Sequence, residues 1–168
     1  MTDIQLQGPI PEAANVSEED PRRILFLDVD GVINSTRSYI AFGGRSRSLD
    51  EVGKFDWVAI GLLQRLCLSD YRLKIVLSST WRLDHTAAAV AKAFDLPIID
   101  ITPGNDSDNT RGEEIQMWLD AHPTIKHYVI VDDNDGMLPE QRKRFVKVDA
   151  DFGLSLGSVK KIIRILQM

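Results

Sequence analysis

The chain has 168 residues, of which 43% are hydrophobic and 27% charged, and this length and composition predict one globular domain around a single core. The formal charge of -5 excludes a protein that coats nucleic acid through bulk electrostatics, though not one with a local basic rim. Cys67 is the one cysteine, which excludes an intramolecular disulfide and a cysteine zinc cluster; its apolar setting within residues 62–68 predicts a buried thiol.

No stretch approaches the roughly 18 apolar residues of a membrane span, so no membrane partner is expected. The N-terminus is acidic and polar, unlike a signal peptide, and a reducing cytoplasm is the expected address. Nothing in the sequence specifies an oligomeric state. Residues 1–21 carry prolines, acids and amides without periodicity and read as a flexible arm. Residues 22–168 read as the folded domain, in which short apolar runs alternate with helical patterns. That alternation predicts an α/β domain with a mainly parallel sheet.

The first strand is expected at residues 24–27, an unbroken apolar run that stops at Asp28, as a strand buried on both faces would. A helix follows over about residues 56–69, with Val58, Leu62 and Leu66 as its apolar stripe. The second strand is residues 73–77, ending at Ser78. An alanine-rich helix over about 84–94 leads past Pro97 to a third strand at 98–101. Thr110 and Glu113 have capping-box spacing and open a helix showing Ile115, Trp118 and Leu119 on one face. The fourth strand, 128–131, ends at Asp132, and the fifth is 145–148. Ser155 caps a last helix striped with Val159, Ile162, Ile163 and Leu166. Asp28, Ser78 and Asp132 thus all stand at the carboxyl ends of strands, where open α/β sheets bind ligands.

Chemistry concentrates in Asp28-Val29-Asp30-Gly31-Val32. Two ionised carboxylates so close in a confined site repel unless a cation or a proton neutralises one. One as nucleophile and metal ligand, the other as proton donor and acceptor, removes the difficulty. Gly31 lets the backbone turn sharply beside a ligand. The run Val129-Ile130-Val131-Asp132-Asp133-Asn134-Asp135 supplies further acids behind a hydrophobic strand.

The stretch Phe26-Leu27-Asp28-Val29-Asp30-Gly31-Val32 resembles the first motif of haloacid dehalogenase phosphatases. The resemblance implies a Rossmann-like three-layer sandwich with a five-stranded sheet, the first strand central, the second and fourth beside it, the third and fifth outermost. It also implies a phosphomonoester hydrolase in which Asp28 forms an aspartyl-phosphate and Asp30 is the general acid and base. Lys74-Ile75-Val76-Leu77-Ser78-Ser79-Thr80 matches the second motif, with Ser78 as the phosphate-binding hydroxyl and Ser79 as its competitor. Arg111, in Thr110-Arg111-Gly112-Glu113-Glu114-Ile115, stands for the third motif's basic residue, where the superfamily more often shows lysine. A cation in the first turn of a helix opposes the helix dipole, which suggests a reason outside the helix. The fourth motif implies that Asp132 ligates Mg²⁺, with Asp133 helping, so that Asp28, Asp30, Asp132 and Asp133 form the metal set. Oxygen ligands are what Mg²⁺ prefers.

More narrowly, Ser78-Ser79-Thr80-Trp81-Arg82, Thr110 to Ile115 with Trp118-Leu119, and Phe145-Val146-Lys147-Val148-Asp149 with Gly153-Leu154 resemble the phosphatase-type domain of RNA-repair proteins. The interval from 34 to 71 has room for one helix and a flap of about twenty residues, so the cap is minimal and the site open. The flap holds Arg37, Tyr39, Phe42, Gly43, Gly44, Arg45 and Arg47, basic and aromatic groups suited to a nucleotide. Trp81 and Arg82 are expected to extend that surface. The expected partner is a phosphorylated substrate: a nucleic-acid 3′-terminal phosphate or a small nucleotide. A non-catalytic phosphate-binding module is the third reading. Arg142, Lys143 and Arg144 read as a solvated helix face, and His85, His122 and His127 lack metal-ligand spacing.

Overall fold

The computed structural model describes residues 22–104 and 109–168; the expected N-terminal arm, residues 1–21, lies outside them. In chain order the elements are β1 (Arg23–Leu27), α1 (Thr36–Ala41), α2 (Trp57–Ser69), β2 (Leu73–Leu77), α3 (Ala87–Phe94), β3 (Ile98–Ile101), α4 (Arg111–Ala121), β4 (His127–Asp132), β5 (Phe145–Lys147) and α5 (Leu156–Leu166). The sheet runs β3-β2-β1-β4-β5, and all four pairings are parallel. This is the expected order, with β1 in the centre.

Alternation along β1 divides the core. Leu25 and Leu27 face one side with Ile75, Leu77, Val129 and Val131, beneath residues of α2, α3 and α5. Ile24 and Phe26 face the other with Val76 and Ile130, against Ile115 and Trp118 of α4. Three layers result, and β1 has no solvent face, which explains its unbroken apolar run. Phe26 meets Trp118 edge-to-face at 5.4 Å between ring centroids. Between β1 and α2 lie only the six-residue α1 and a 3-10 turn at Leu49–Lys54.

Several boundaries and faces differ from expectation. Of the expected α2 stripe, Leu66 is buried and Leu62 packs partly against the core, but Val58 is 67% exposed, and Ala59, Ile60, Leu63 and Cys67 complete the buried face. Asp56 sets this register by capping the helix, its side chain accepting from the Ala59 amide. Helix α3 begins later than expected. Ser79 caps a 3-10 turn at Thr80–Leu83, and Thr86 then caps α3 itself. Strand β5 stops one residue early. Arg142 to Arg144 belong to a 3-10 turn, Pro139–Arg144, and Arg144 lies over the Tyr128 ring at 4.6 Å. The caps expected at Thr110 and Ser155 are present. Burial raises the Cys67 thiol to about 11, as for an inert core cysteine. Among the described residues, no helix is long and apolar enough to cross a membrane.

The register of α2 is directly testable. Leu63→Ala should cost about 2–5 kcal/mol through lost burial and a residual cavity, whereas Val58→Ala should stay within about 0.5 kcal/mol. Urea unfolding of both variants checks this, and a larger cost for Val58→Ala than for Leu63→Ala would mean the opposite face is buried.

Candidate active site

Strand pairing itself assembles the site. The Ser78 amide donates to the Leu27 carbonyl at 2.9 Å, and the Asp28 amide donates to the Val131 carbonyl at 3.1 Å. Asp28 therefore leaves β1 between the ends of β2 and β4, with Ser78 on one side and Asp132 on the other. All three side chains are buried.

Beyond Asp28 the chain folds back, with the amides of Ile33 and Asn34 both donating to the Val29 carbonyl. Gly31 sits in this turn at φ +77°, and a Cβ there would stand 2.5 Å from the Asp133 carboxylate. Glycine is thus what lets Asp133 close over the turn. Asp28, Asp132 and Asp133 each offer a carboxylate oxygen, and these oxygens lie within 4.8 Å of one another. Asp132 Oδ2 and Asp133 Oδ1 are buried without a hydrogen-bond partner. Clustered carboxylate oxygens with so few hydrogen-bond donors fit a hard cation such as Mg²⁺. The Asp30 carboxylate is not in this group; its two oxygens accept from Asn34 and Trp81 instead.

Charge crowding shows in the acidities. Burial, followed by the Asp132 charge, raises Asp28 to about 7, against the pull of Arg111 and a hydrogen bond from Ser79. Burial also raises Asp132 to about 6, with Asp133 adding to the rise and the Asn134 amide and Arg111 opposing it. The nearby guanidiniums offset only part of the negative charge.

Arg111, the cation expected from the resemblance, lies among these acids. Its guanidinium stands 3.6 Å from Asp28 Oδ1, 3.4 Å from Asp132 Oδ2 and 3.5 Å from Glu114 Oε2. The acids outside the helix explain a cation in the first turn of α4, where the dipole disfavours it. Its backbone is fixed by a close approach. A Cβ at Gly112 would stand 2.6 Å from the Leu138 nitrogen. The Gly112 amide donates to the Gly136 carbonyl, and the buried Gln141 amide group donates to the Gly112 carbonyl at 2.9 Å. Gln141 and Glu114 are site-supporting residues that the sequence reading missed. Glu114 lies within the third-motif segment but without a role there, Gln141 on an unremarked one, and only their burial reveals them.

Arg82 is not a surface extension. Its side chain is 6% exposed and pairs with Glu114 at 2.5 Å, and it donates to the Ser79 carbonyl at 2.8 Å. Trp81 is also buried. Its indole N–H donates to Asp30 Oδ2 at 3.1 Å, while Asn34 Nδ2 donates to Asp30 Oδ1 at 2.7 Å. Asn34 and Trp81 therefore orient the second aspartate, roles that the sequence did not signal. Ser79 donates to Asp28 and accepts from the Trp81 amide. The Ser78 hydroxyl is fully buried and without a partner, which leaves it available to a ligand. Arg37 is tied to Asp56 at 2.6 Å and holds the start of α2. Arg45 and Arg47 line an open hollow beside Asp30. A second hollow, beside Arg111, is lined by Thr80, Asn109, Thr110 and Asn134.

The raised carboxyls have a consequence for stability. The folded protein binds protons at Asp28 and Asp132 that the unfolded chain releases, so their contribution is full at low pH and is lost as pH rises through about 6 to 7. Asp56 and Asp70 are held below the ordinary carboxylate value, their burial outweighed by hydrogen bonds from Arg37 and Arg72, and they act only in more acid solution. In EDTA, the urea midpoint should therefore fall between about pH 5 and about pH 8. Asp132→Asn should flatten the fall, and added Mg²⁺ should reverse it, because metal binding needs the ionised carboxylates. A midpoint that rises with pH in EDTA would contradict the charge crowding.

Comparison with known proteins bears on the same residues. Residues 24–159 match the family described as the HAD domain in Swiss Army Knife RNA repair proteins. A solved structure of a haloacid dehalogenase-like family hydrolase from Streptococcus pneumoniae is similar at 12% identity, with a TM-score of 0.47, covering 86% of this chain and 90% of that one. Comparison with curated proteins gives no match. The family match spans β1 to α5 and includes Asp28, Asp30, Ser78, Arg111, Asp132 and Asp133. The chain belongs to the haloacid dehalogenase (HAD) superfamily, in the family of HAD domains from Swiss Army Knife RNA repair proteins.

Proposed function

We propose that this HAD hydrolase domain is a Mg²⁺-dependent phosphomonoester hydrolase that works through an aspartyl-phosphate on Asp28. The observation that carries the reading is the convergence on Asp28. Arg111 stands 3.6 Å away, Asp132 and Asp133 share its acidic cluster, and the unpartnered Ser78 hydroxyl is at the neighbouring strand end.

In the first half-reaction an Asp28 carboxylate oxygen bonds to phosphorus as the phosphorus–ester oxygen bond breaks. Asp30 gives its proton to the leaving oxygen. In the second, Asp30 takes a proton from water, the water oxygen bonds to phosphorus, and the phosphorus–Asp28 bond breaks. Phosphate leaves, and both aspartates regain their starting states. Asn34 and Trp81 hold the Asp30 carboxyl in one orientation throughout. Arg111 and the Ser78 hydroxyl donate to the phosphoryl oxygens as charge builds there. Asp28, Asp132 and Asp133 would hold Mg²⁺, which when bound would supply the charge that lets two anions approach.

The substrate class that fits best is a phosphate at a nucleic-acid end, in the 3′ position. The short connection between β1 and α2 supports it, as do the exposed Arg45 and Arg47 and the family's description. The negative net charge limits binding to the last few nucleotides, so the salt dependence should correspond to about one to three phosphate contacts. Faster hydrolysis of nucleoside monophosphates than of 3′-phosphorylated oligomers would favour a small-nucleotide phosphatase instead. No turnover of any phosphate ester would leave a phosphate-binding module.

Asp28→Asn should lower kcat by more than about 10⁴-fold while the urea midpoint shows a folded protein. Asp30→Asn should lose about tenfold or less on an ester with an activated leaving group, but about 10²–10⁴-fold on an alkyl phosphate, whose leaving oxygen needs a proton. Equal losses on both esters would remove Asp30 from the acid role. EDTA should abolish turnover and Mg²⁺ restore it; full activity in metal-free buffer would defeat the metal assignment.

A further inference from the structure

Asp30 gives the site a direction. A residue that protonates the leaving oxygen must touch it, so the alcohol part of the substrate lies on the Asp30 side of the reacting phosphate. That side opens into the hollow of about 350 Å³ lined by Asp30, Arg45, Arg47, Trp81, Asp84 and His85. The volume falls at the lower end of the range for small-molecule sites, about 300–1,000 Å³. His85 lies against Trp81 with near-parallel rings, their centroids 5.3 Å apart.

The two arginines are not loosely placed. They flank Ser46, which is 1% exposed. The Ser46 carbonyl accepts from Asn34 Nδ2 at 3.0 Å, and the same nitrogen donates to Asp30 at 2.7 Å. The Ser46 hydroxyl in turn donates to the Ser48 carbonyl. One buried amide thus sets the basic segment against the proton donor. Arg37, Arg82 and Arg111 are each paired with a carboxylate, but among the described residues no carboxylate lies within ion-pair distance of the Arg45 or Arg47 guanidinium. Asp50 is the nearest acid in sequence to Arg47, and Glu51 beyond it pairs with Lys54 and accepts from the Arg47 backbone amide rather than from its guanidinium. Two arginines that line one hollow, with no ion-pair partner among the described residues, invite an anion.

Resting on the phosphatase reading above, we infer that Arg45 and Arg47 form a second-phosphate subsite, which binds a phosphate one nucleotide away from the one removed. A nucleoside monophosphate has its only phosphate at Asp28 and leaves both arginines without a partner. A nucleoside 3′,5′-bisphosphate is the smallest molecule that fills both positions, and a 3′-phosphorylated dinucleotide does so with a phosphodiester. The subsite therefore selects substrates whose leaving alcohol is itself anionic.

The test compares kcat/KM for nucleoside 3′-monophosphate, nucleoside 3′,5′-bisphosphate and 3′-phosphorylated dinucleotide. A preference of about tenfold or more for the last two is expected, the size of one charge-assisted contact. In the double variant Arg45→Ala/Arg47→Ala that ratio should approach one. In Arg142→Ala/Lys143→Ala, which removes the same charge elsewhere, it should persist. Preference for the bisphosphate alone would assign the subsite to free nucleotides, and equal preference for both to strand ends. A ratio near one in the native protein, or one that falls equally in both double variants, overturns the subsite while leaving the phosphatase reading intact. Calorimetric titration of the Asp28→Asn protein with the mono- and bisphosphate needs no turnover, and the same tenfold ratio is expected in Kd. If no ester is hydrolysed, the phosphatase reading fails, and the Kd ratio still decides the subsite.

Discussion

The Arg111 guanidinium stands between two buried carboxylates, Asp28 and Asp132, that arrive from different strands. Burying two such groups side by side is costly unless charge of the opposite sign lies between them, and the rest of the carboxyl edge is arranged to keep it there. Glu114 holds a second face of the guanidinium, and Arg82 in turn holds Glu114. The chain of alternating charges Asp28, Arg111, Glu114, Arg82 ends at the Ser79 carbonyl, one residue from the unpartnered Ser78 hydroxyl. Strands β2 and β4 are linked through these side chains as well as through the sheet.

Backbone approach matters as much as charge. Gly31 lets the Asp133 carboxylate rest against the turn after β1, and Gly112 lets the start of α4 rest against residues 136–138. The two contacts join the loops after β1 and β4 and the first turn of α4 into one unit. Asn34 joins a further segment, because its amide serves Asp30 and Ser46 together. Groups on four separate stretches of chain are thereby placed with little freedom, the condition for a preorganised site.

Much of this was legible in the sequence, for stateable reasons. Strands β1, β2 and β4 are apolar runs that end in polar residues, a pattern that marks a buried parallel sheet and its functional edge together. Asp28, Ser78, Arg111, Asp132 and Asp133 stand at such ends or at a capped helix start, and they meet as expected. The misreadings have a common origin. Arg37 and Arg82 look like surface cations in sequence, but each is consumed by a carboxylate, Asp56 or Glu114, that lies far along the chain. Trp81 reads as an exposed ring beside a phosphate site, yet it is buried with its indole N–H on Asp30. Periodicity cannot identify partners brought together only by tertiary packing. The start of the α2 stripe failed for a local reason: the Asp56 cap fixes where the helix begins, and Val58 sits on a helix with hydrophobic groups on several faces.

The central position of β1 also governs when in the life of the chain the site can exist. Its two neighbours come from residues 73–77 and 127–132, so during synthesis the most apolar strand is made first and its second edge is completed last. Until β4 docks, that edge offers unpaired amides and carbonyls to any other chain. Asp28 meanwhile lacks Asp132, Asp133 and the held Arg111, since α4 and the loop after β4 lock together. No fragment that stops short of β4 carries a partial version of the acidic cluster. Assembly of the acidic cluster and the docking of β4 on the second edge of β1 are one event, and until it takes place that edge needs protection.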